Sequence, residues 1–421
     1  MLNDYHSHQK YLILNMVNHL GPISRTELIA FTDYRPASVG SIIKSMIEEG
    51  LLVETGYSSS GYGRKRVLLE INHERICAIS ISVSAHSIIY IVAQINGVVL
   101  RRIDQEVDRE TPKDQLSEMI ARQARLLFQE FADRNIIGVG VCNPLYDPTR
   151  YQMDGSLISG YSKFNDWIQS DLLPKLAQVS AVPVRTFSAV TLPAMAEQRF
   201  GVARGARDFI CVELSNGIGA SIYCNGSPVS GANGVAGELG HTVIDYSAQS
   251  DNICYCGKPG CVESTTAYPA LVSEIRSALN RGVFSVLKAH RDPNREITVQ
   301  DVRRALDEGD QMCIHYVRRA AMRLGVAIAN LVNVLNPELI VLYGFMLELG
   351  SAFTAQLETS IRENSLVLAR NFEIHTSDSL EKSMPLGAVA EIFSSYLRSE
   401  DYRWVYQIRP EERAADIAEE E

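Results

Sequence analysis

Apolar residues recur at helical spacing through residues 9–20 (QKYLILNMVNHL), and the run ends at Gly21, which predicts a helix stopping there. In GPISRTELIAFT, Ser24 and Glu27 stand three apart, the spacing of a capping box, and predict the start of a second short helix. A third is expected from Pro36 onward, because proline's missing N–H would go unpaired in a first turn anyway. Val39, Ile42, Ile43, Met46 and Ile47 form one apolar stripe of that helix. Ala37, Ser38, Ser41, Lys44 and Ser45 lie opposite, and Gly50 supplies a left-handed stop. Two strand-like runs, LLVETG and RKRVLLEIN, then flank the glycine-rich tip SSSGYGRKR. Three short helices followed by a hairpin predict a winged helix-turn-helix over residues 1–72.

The remainder alternates strand and helix patterns. The β-rich runs IGVGV (137–141), ARDFICVELS and PELIVLYG are separated by helical patterns such as QLSEMIARQARLLFQEF and MCIHYVRRAAMRLGVAIANLVNVL. Such alternation predicts an α/β body. ICAISISVSAHSIIYIVAQINGVVL reads as the two strands of a hairpin. A chain of 421 residues exceeds one core and suggests two or three domains. No apolar run approaches a membrane span, and the N-terminus MLNDYHSHQK has no signal-peptide core. A cytoplasmic protein without membrane insertion is expected.

A formal charge of −10 argues against nucleic-acid binding, but its distribution reverses that reading. Residues 1–75 hold eight basic and eight acidic groups, while the rest holds 32 and 42. A neutral head on an acidic body can bind DNA if its cations share one face. The candidate DNA-contacting residues are Arg35, Ser38, Ser41 and Lys44 around helix three, with Arg64, Lys65 and Arg66 in the wing. The alternative is a small helical interaction domain whose RKR is a solvated turn.

Between Gly231 and Glu263 the chain reads GANGVAGELGH, a spacer, then CYCGKPGCVE. His241, Cys254, Cys256 and Cys261 follow the spacing H-x12-C-x-C-x4-C, a donor set typical of tetrahedral zinc. The other five cysteines are scattered and expected to act as small buried hydrophobes. Asn233, Glu238, His241 and Glu263 lie in the same stretch and offer polar groups to a polyhydroxylated ligand. Each also has a plain structural reading: Glu238 and Glu263 as helix-start carboxylates, Asn233 as a turn residue.

The segments GPISR, PASV and IEEGLL in the head, with GVAGELGH, CYCGKPGCVES and NPELIVLYG in the body, resemble the ROK family (repressors, open reading frames, sugar kinases). With its winged head the chain is similar to the family's Mlc, NagC and XylR-type repressors. The resemblance implies an actin-like, hexokinase-like pair of α/β lobes. It places a small lobe at 73–190 completed by a helix at 385–400, a large lobe with the metal module at 191–384, and an acid-rich tail at 401–421. It also implies zinc on His241, Cys254, Cys256 and Cys261, and sugar contacts from Asn233, Glu238, His241 and Glu263. His241 would serve both, one ring nitrogen on the metal and the other free for a sugar hydroxyl.

The chain departs from the family's kinases where a kinase needs a base and a phosphate cradle. Ser188 and Ala189 occupy the Asn-Asp position, and Ala189 cannot accept a proton. Ser80 and Ser82 replace an Asp and a Gly, Phe345 stands where a second glycine is usual, and Asn143-Pro144 replaces a Pro-Gly turn. The expected protein is therefore not an enzyme but a transcriptional repressor of carbohydrate genes, binding operator DNA as a homo-dimer or tetramer. Its effector is expected to be a sugar or sugar phosphate. A sugar kinase with an appended head is one rival, and a repressor titrated by a sugar-transport phosphotransferase component is another.

Overall fold

The computed structural model describes residues 2–32, 34–57, 65–84, 87–108, 110–143, 166–188, 191–232, 235–246, 253–290, 295–377 and 380–397. Arg64, Pro144, Ala189, Asn233 and the tail 401–421, all named above, lie outside them.

The head comprises α1 (Leu2–Leu20), β1 (Ile23–Ser24), α2 (Arg25–Ala30), α3 (Pro36–Glu48), β2 (Leu52–Tyr57) and β3 (Val67–Ile71). Its strands form one sheet in the order β1–β3–β2. This is a winged helix-turn-helix arrangement. α1 begins at Leu2 rather than residue 9, because its first turns carry no apolar periodicity from which to read a helix. The capping box forms as expected: the Glu27 N–H donates to Ser24 Oγ at 3.3 Å and the Ser24 N–H to Glu27 Oε2 at 2.8 Å. Val39, Ile42, Ile43 and Met46 of α3 are buried, and Gly50 has a φ of 73°.

The body contains two five-stranded sheets built on one plan. In the first, β4 (Ile76–Val83), β5 (Ser87–Gln94), β6 (Val99–Glu106), β7 (Asn135–Asn143) and β8 (Val184–Ser188) lie in the order β6–β5–β4–β7–β8. β6, β5 and β4 form an antiparallel meander, and β7 and β8 extend it in parallel. The expected hairpin is thus a three-stranded unit. Val99 and Leu100 open β6, whose charged, mostly exposed edge gives little apolar signal. α4 (Lys113–Glu130) and α5 (Leu173–Val179) pack on one face of this sheet through Ile120, Ala124, Leu127 and Leu176.

After α6 (Leu192–Phe200) comes the second sheet: β9 (Phe209–Leu214), β10 (Ile218–Cys224), β11 (Ser227–Pro228), β12 (Leu339–Tyr343) and β13 (Glu373–Thr376). Its order, β11–β10–β9–β12–β13, repeats the plan of antiparallel meander plus two parallel strands. α7 (Val262–Thr266), α8 (Tyr268–Asn280), α9 (Leu287–His290), α10 (Val299–Asp307), α11 (Gln311–Leu335) and α12 (Ser351–Asn364) follow in this part of the chain. Its large apolar core draws on β9, β10, β12, α8, α11 and α12. No helix among the described residues is long and apolar enough to cross a membrane.

The last helix among the described residues, α13 (Leu380–Leu397), returns to the first sheet. Its Val389, Ile392, Phe393 and Leu397 are buried in one cluster with Ile76, Ala78, Ile91 and Ala93 of that sheet. The same cluster contains Leu12, Ile13, Met16, Leu20, Val39, Met46 and Leu69 of the head. The head therefore has no core of its own that closes before the body begins. Polar contacts follow the seam. Asn15 Nδ2 donates to the carbonyl of Leu397. Asn135 Nδ2 donates to the Glu49 carbonyl at 2.8 Å. The rings of Tyr11 and Tyr396 meet edge to face at 5.8 Å.

α13 also lies against α6 at backbone distance. A Cβ on Gly387 would stand 1.9 Å from the Leu192 carbonyl oxygen, so the two helices must part to admit one. The preference of helices for Ala over Gly, about 1 kcal/mol, acts the other way but cannot relieve a backbone clash. Gly387→Ala is expected to destabilise the fold by about 1–3 kcal/mol, the usual cost of overpacking. A lowered urea midpoint at unchanged slope would register it.

Candidate functional site

The cysteine-rich segment folds into a knuckle. The Gly257 N–H donates to the Cys254 carbonyl at 2.8 Å and the Cys254 N–H to Lys258 at 2.9 Å. Gly257 and Gly260 take φ values of 87° and 72°. A side chain at Gly260 would also strike the Asp245 carbonyl, with Cβ at 1.9 Å. Both glycines of C-x-C-G-x-x-G-C thus serve the turn that gathers the thiols. Cys261 caps α7, and His241 ends a short 3-10 turn at Leu239–His241.

The side-chain donors of His241, Cys254, Cys256 and Cys261 all lie within 4.8 Å of one another. Cys254 Sγ is 3.4 Å from His241 Nδ1, and Cys256 Sγ is 3.6 Å from Cys261 Sγ. A tetrahedral ion with bonds of about 2.3 Å to sulfur sets its ligand atoms roughly 3.8 Å apart, so the donor set fits one. Without a cation, burial pushes the Cys254 and Cys261 thiols up. A coordinated metal reverses this by deprotonating a thiol ligand outright. Of the scattered cysteines, Cys77, Cys142, Cys211 and Cys313 are buried and Cys224 half-buried.

The second nitrogen of His241 is engaged rather than open. Nε2 lies 2.7 Å from the Tyr255 hydroxyl and 3.7 Å from Glu238 Oε2. Tyr255, between two of the thiols, was not among the expected site residues. Glu238 is 53% exposed beside this pair. Glu263, in the first turn of α7, accepts from the Ile218 N–H at 3.1 Å. It lies against Gly240 and Gly217, both lacking the side chain that would crowd it. Burial pushes its carboxyl up to about 7, the Ile218 N–H pulls it down, and Glu238 pushes it up again. Glu238, His241 and Glu263 thus gather around the start of β10, while Asn233 lies outside the described residues.

Ser80, Ser82 and Phe345, positions expected to depart from a kinase, are all described, and the Ser82 hydroxyl is buried without a hydrogen-bond partner among the described residues. Ser80 and Ser82 are buried on β4, with Ser80 Oγ 3.5 Å from Cys142 Sγ. The Phe345 ring packs edge to face on Tyr268 at 5.3 Å. Glu213, absent from the sequence expectations, is buried on β9, paired with Gly219 on β10 and Tyr343 on β12. Burial pushes its carboxyl up to about 7, with Ser215 opposing the shift and Glu263 adding to it.

In the head, Arg35, Ser41 and Lys44 are exposed and Ser38 is half-buried, all on the face opposite the α3 core stripe. Lys65 and Arg66 are exposed at the base of the wing. Lys44 faces Glu48 at 3.8 Å, an exposed helical pair of little strength. The exposed face is short and polar, with Ala37, Gly40 and Ser41 at its middle.

Glu213 gives a pH-dependent stability with a definite sign. Its folded pKa, about 7, exceeds the ordinary 4.5, so the folded chain holds a proton that the unfolded chain releases. Stability therefore falls as pH rises from about 4.5 to about 7 and loses no more to this group above that. Glu213→Gln should match wild type near pH 4 and be more stable at pH 8, by on the order of 3 kcal/mol. Chemical denaturation at both pH values checks this, and equal gains at both would refute it.

The chain is similar to known proteins along nearly its whole length. It is 28% identical over 398 residues to the xylose repressor of Caldicellulosiruptor bescii, covering 93% of this chain and 97% of that protein. It is 25% identical over 387 residues to the DNA-binding transcriptional dual regulator NagC of Escherichia coli K12, covering 90% of each. Among solved structures, a ROK family transcriptional regulator, a homologue of the E. coli Mlc protein, superposes with a TM-score of 0.74 at 23% identity, over 93% of this chain and 98% of that one. A ROK hexokinase from Thermus thermophilus superposes with a TM-score of 0.61 at 21% identity, over 76% of this chain and 99% of that one. The two-sheet body is thus the fold shared with the hexokinase. The ROK family pattern matches residues 78–392 of the 421, and the chain belongs to the ROK family.

Proposed function

We propose that this chain is a sequence-specific DNA-binding transcriptional repressor of carbohydrate uptake or metabolism genes, with a kinase-like body that senses rather than phosphorylates. One observation carries the reading: a winged helix-turn-helix presenting a polar α3 face is built into the same core as a ROK body. Arg35, Ser38, Ser41 and Lys44 would enter the major groove, with Arg64, Lys65 and Arg66 reaching phosphate or a narrow groove from the wing. Relatives named for repression of xylose and N-acetylglucosamine genes support it. A homo-dimer would place two heads on two half-sites.

The metal in this reading is zinc, held by His241 Nδ1 and the three thiolates, with a structural role. Tyr255 and Glu238 would orient the imidazole from its other nitrogen. Glu238, Glu263 and Asn233 would then face a sugar hydroxyl across the glycine loop. Several features stand against phosphoryl transfer. Ala189 offers no base, Ser80 and Ser82 fill a phosphate cradle, and Glu213 sets a carboxyl behind the loop that would approach a triphosphate.

Three experiments test the reading. Lys44→Ala and Arg66→Ala should each weaken binding to a duplex selected by the wild-type protein, by about 1–3 kcal/mol for a base contact or with a salt slope reduced by about 1 for a phosphate contact. Unchanged affinity and slope in both would move the DNA face elsewhere. Elemental analysis should find one zinc per chain, lost in Cys256→Ser with a large fall in melting temperature, since such sites contribute on the order of 10 kcal/mol. D-xylose or N-acetylglucosamine should raise the melting temperature of wild type but not of Glu238→Ala, and neither protein should consume ATP with either sugar. Sugar-dependent ATP turnover would establish the kinase instead.

A further inference from the structure

α6 touches three parts of the molecule within nine residues. Leu192 and Met195 pack with Cys142 of the first sheet and Ala388 of α13. Ala194 packs with Phe209, Cys211, Val341 and Tyr343 of the second sheet. Glu197 is buried and accepts from the Ser377 hydroxyl, just beyond β13, and from the Val202 N–H at 3.0 Å. These contacts bind α6 to both lobes.

Two residues further on, Arg199 turns to the head. Its Nη2 donates to Asn18 Oδ1 of α1 at 3.1 Å, and its guanidinium lies 4.4 Å from the centre of the Phe393 ring of α13. Its charge also reaches His73, the residue joining head to body, whose imidazole is held below its ordinary value by burial and then by Arg199. A cation in the last turn of α6 suits the helix dipole. The apolar seam beside it is non-directional and tolerates small slips. A hydrogen bond combined with a ring contact fixes position and angle, which a seam alone does not.

We propose that Arg199 is the positioning residue that couples α6, and hence the two lobes it touches, to the orientation of the DNA-binding head. The proposal rests on the DNA-binding reading. A displacement of α6 between the lobes moves Arg199, Arg199 draws Asn18, and α1 carries α3 with it. The coupling is reciprocal, so DNA on α3 must alter α6 by the same link.

The test uses the full chain and a duplex selected by the wild-type protein from a random-sequence pool. Hydrogen exchange is followed in peptides covering 192–200 with and without that duplex. In wild type the duplex should change exchange there by about fivefold or more, the lower end of usual site-to-site coupling. Arg199→Gln and Asn18→Ala should each bind the duplex within about threefold of wild type, a small effect beside that coupling, yet lose the response in 192–200. Asn18 is only half-buried, so its variant keeps the test open if Arg199→Gln misfolds. A response retained in Asn18→Ala, or absent from wild type with duplex bound, overturns the coupling alone. Failure of wild type to select any duplex overturns the DNA-binding reading and the coupling with it.

Discussion

The arrangement of the molecule depends on one apolar seam, where α1 of the head meets α13 of the body. Ile13, Met16 and Leu69 share a buried cluster with Ile91, Ile392 and Phe393. Fully burying one such side chain contributes about 1.5–3 kcal/mol, so lifting the head away would expose several of these at once. The head cannot swing on a tether while the seam is closed. The seam holds it against the first sheet and α13, so whatever tilts that lobe carries α3 with it. α13 is the last described element and α1 the first, so the seam joins segments from opposite ends of the described chain.

Around the second sheet the governing constraint is close backbone approach. The knuckle that gathers three thiols closes only because Gly260 lets the Asp245 carbonyl in. α7 starts immediately afterwards and delivers Glu263 to the Ile218 N–H. The three thiols and the carboxylate, residues 254–263, therefore belong to one continuous stretch. Loosening the thiol cluster would release Glu263 as well.

Local chemistry was the part of this architecture most open to reading from sequence. Ser24 and Glu27, Pro36, the α3 stripe and Gly50 each act through neighbours a few residues away, and each appears as its spacing implied. The four soft donors declared themselves in the same way. What escaped depends on partners far along the chain. Arg199 reads as a surface residue in a short helix, yet its acceptor is 181 residues distant. Glu213 sits inside the run FICVEL, where a lone carboxylate passes for an interruption of a strand; its burial follows only once β10 and β12 flank it. Tyr255 hides between two cysteines, and its hydroxyl reaches the second His241 nitrogen only once the knuckle is folded. β6 was missed because its charges face solvent at a sheet edge.

The division of charge has a kinetic consequence. All ten excess negative charges lie outside the first 75 residues, while the head is neutral and its α3 face shows mainly small polar groups. Beside a polyanion the body is repelled and the head is not, over a range of about 8–10 Å at physiological salt. A polyanion is therefore approached with the head leading, where Lys44, Lys65 and Arg66 are exposed.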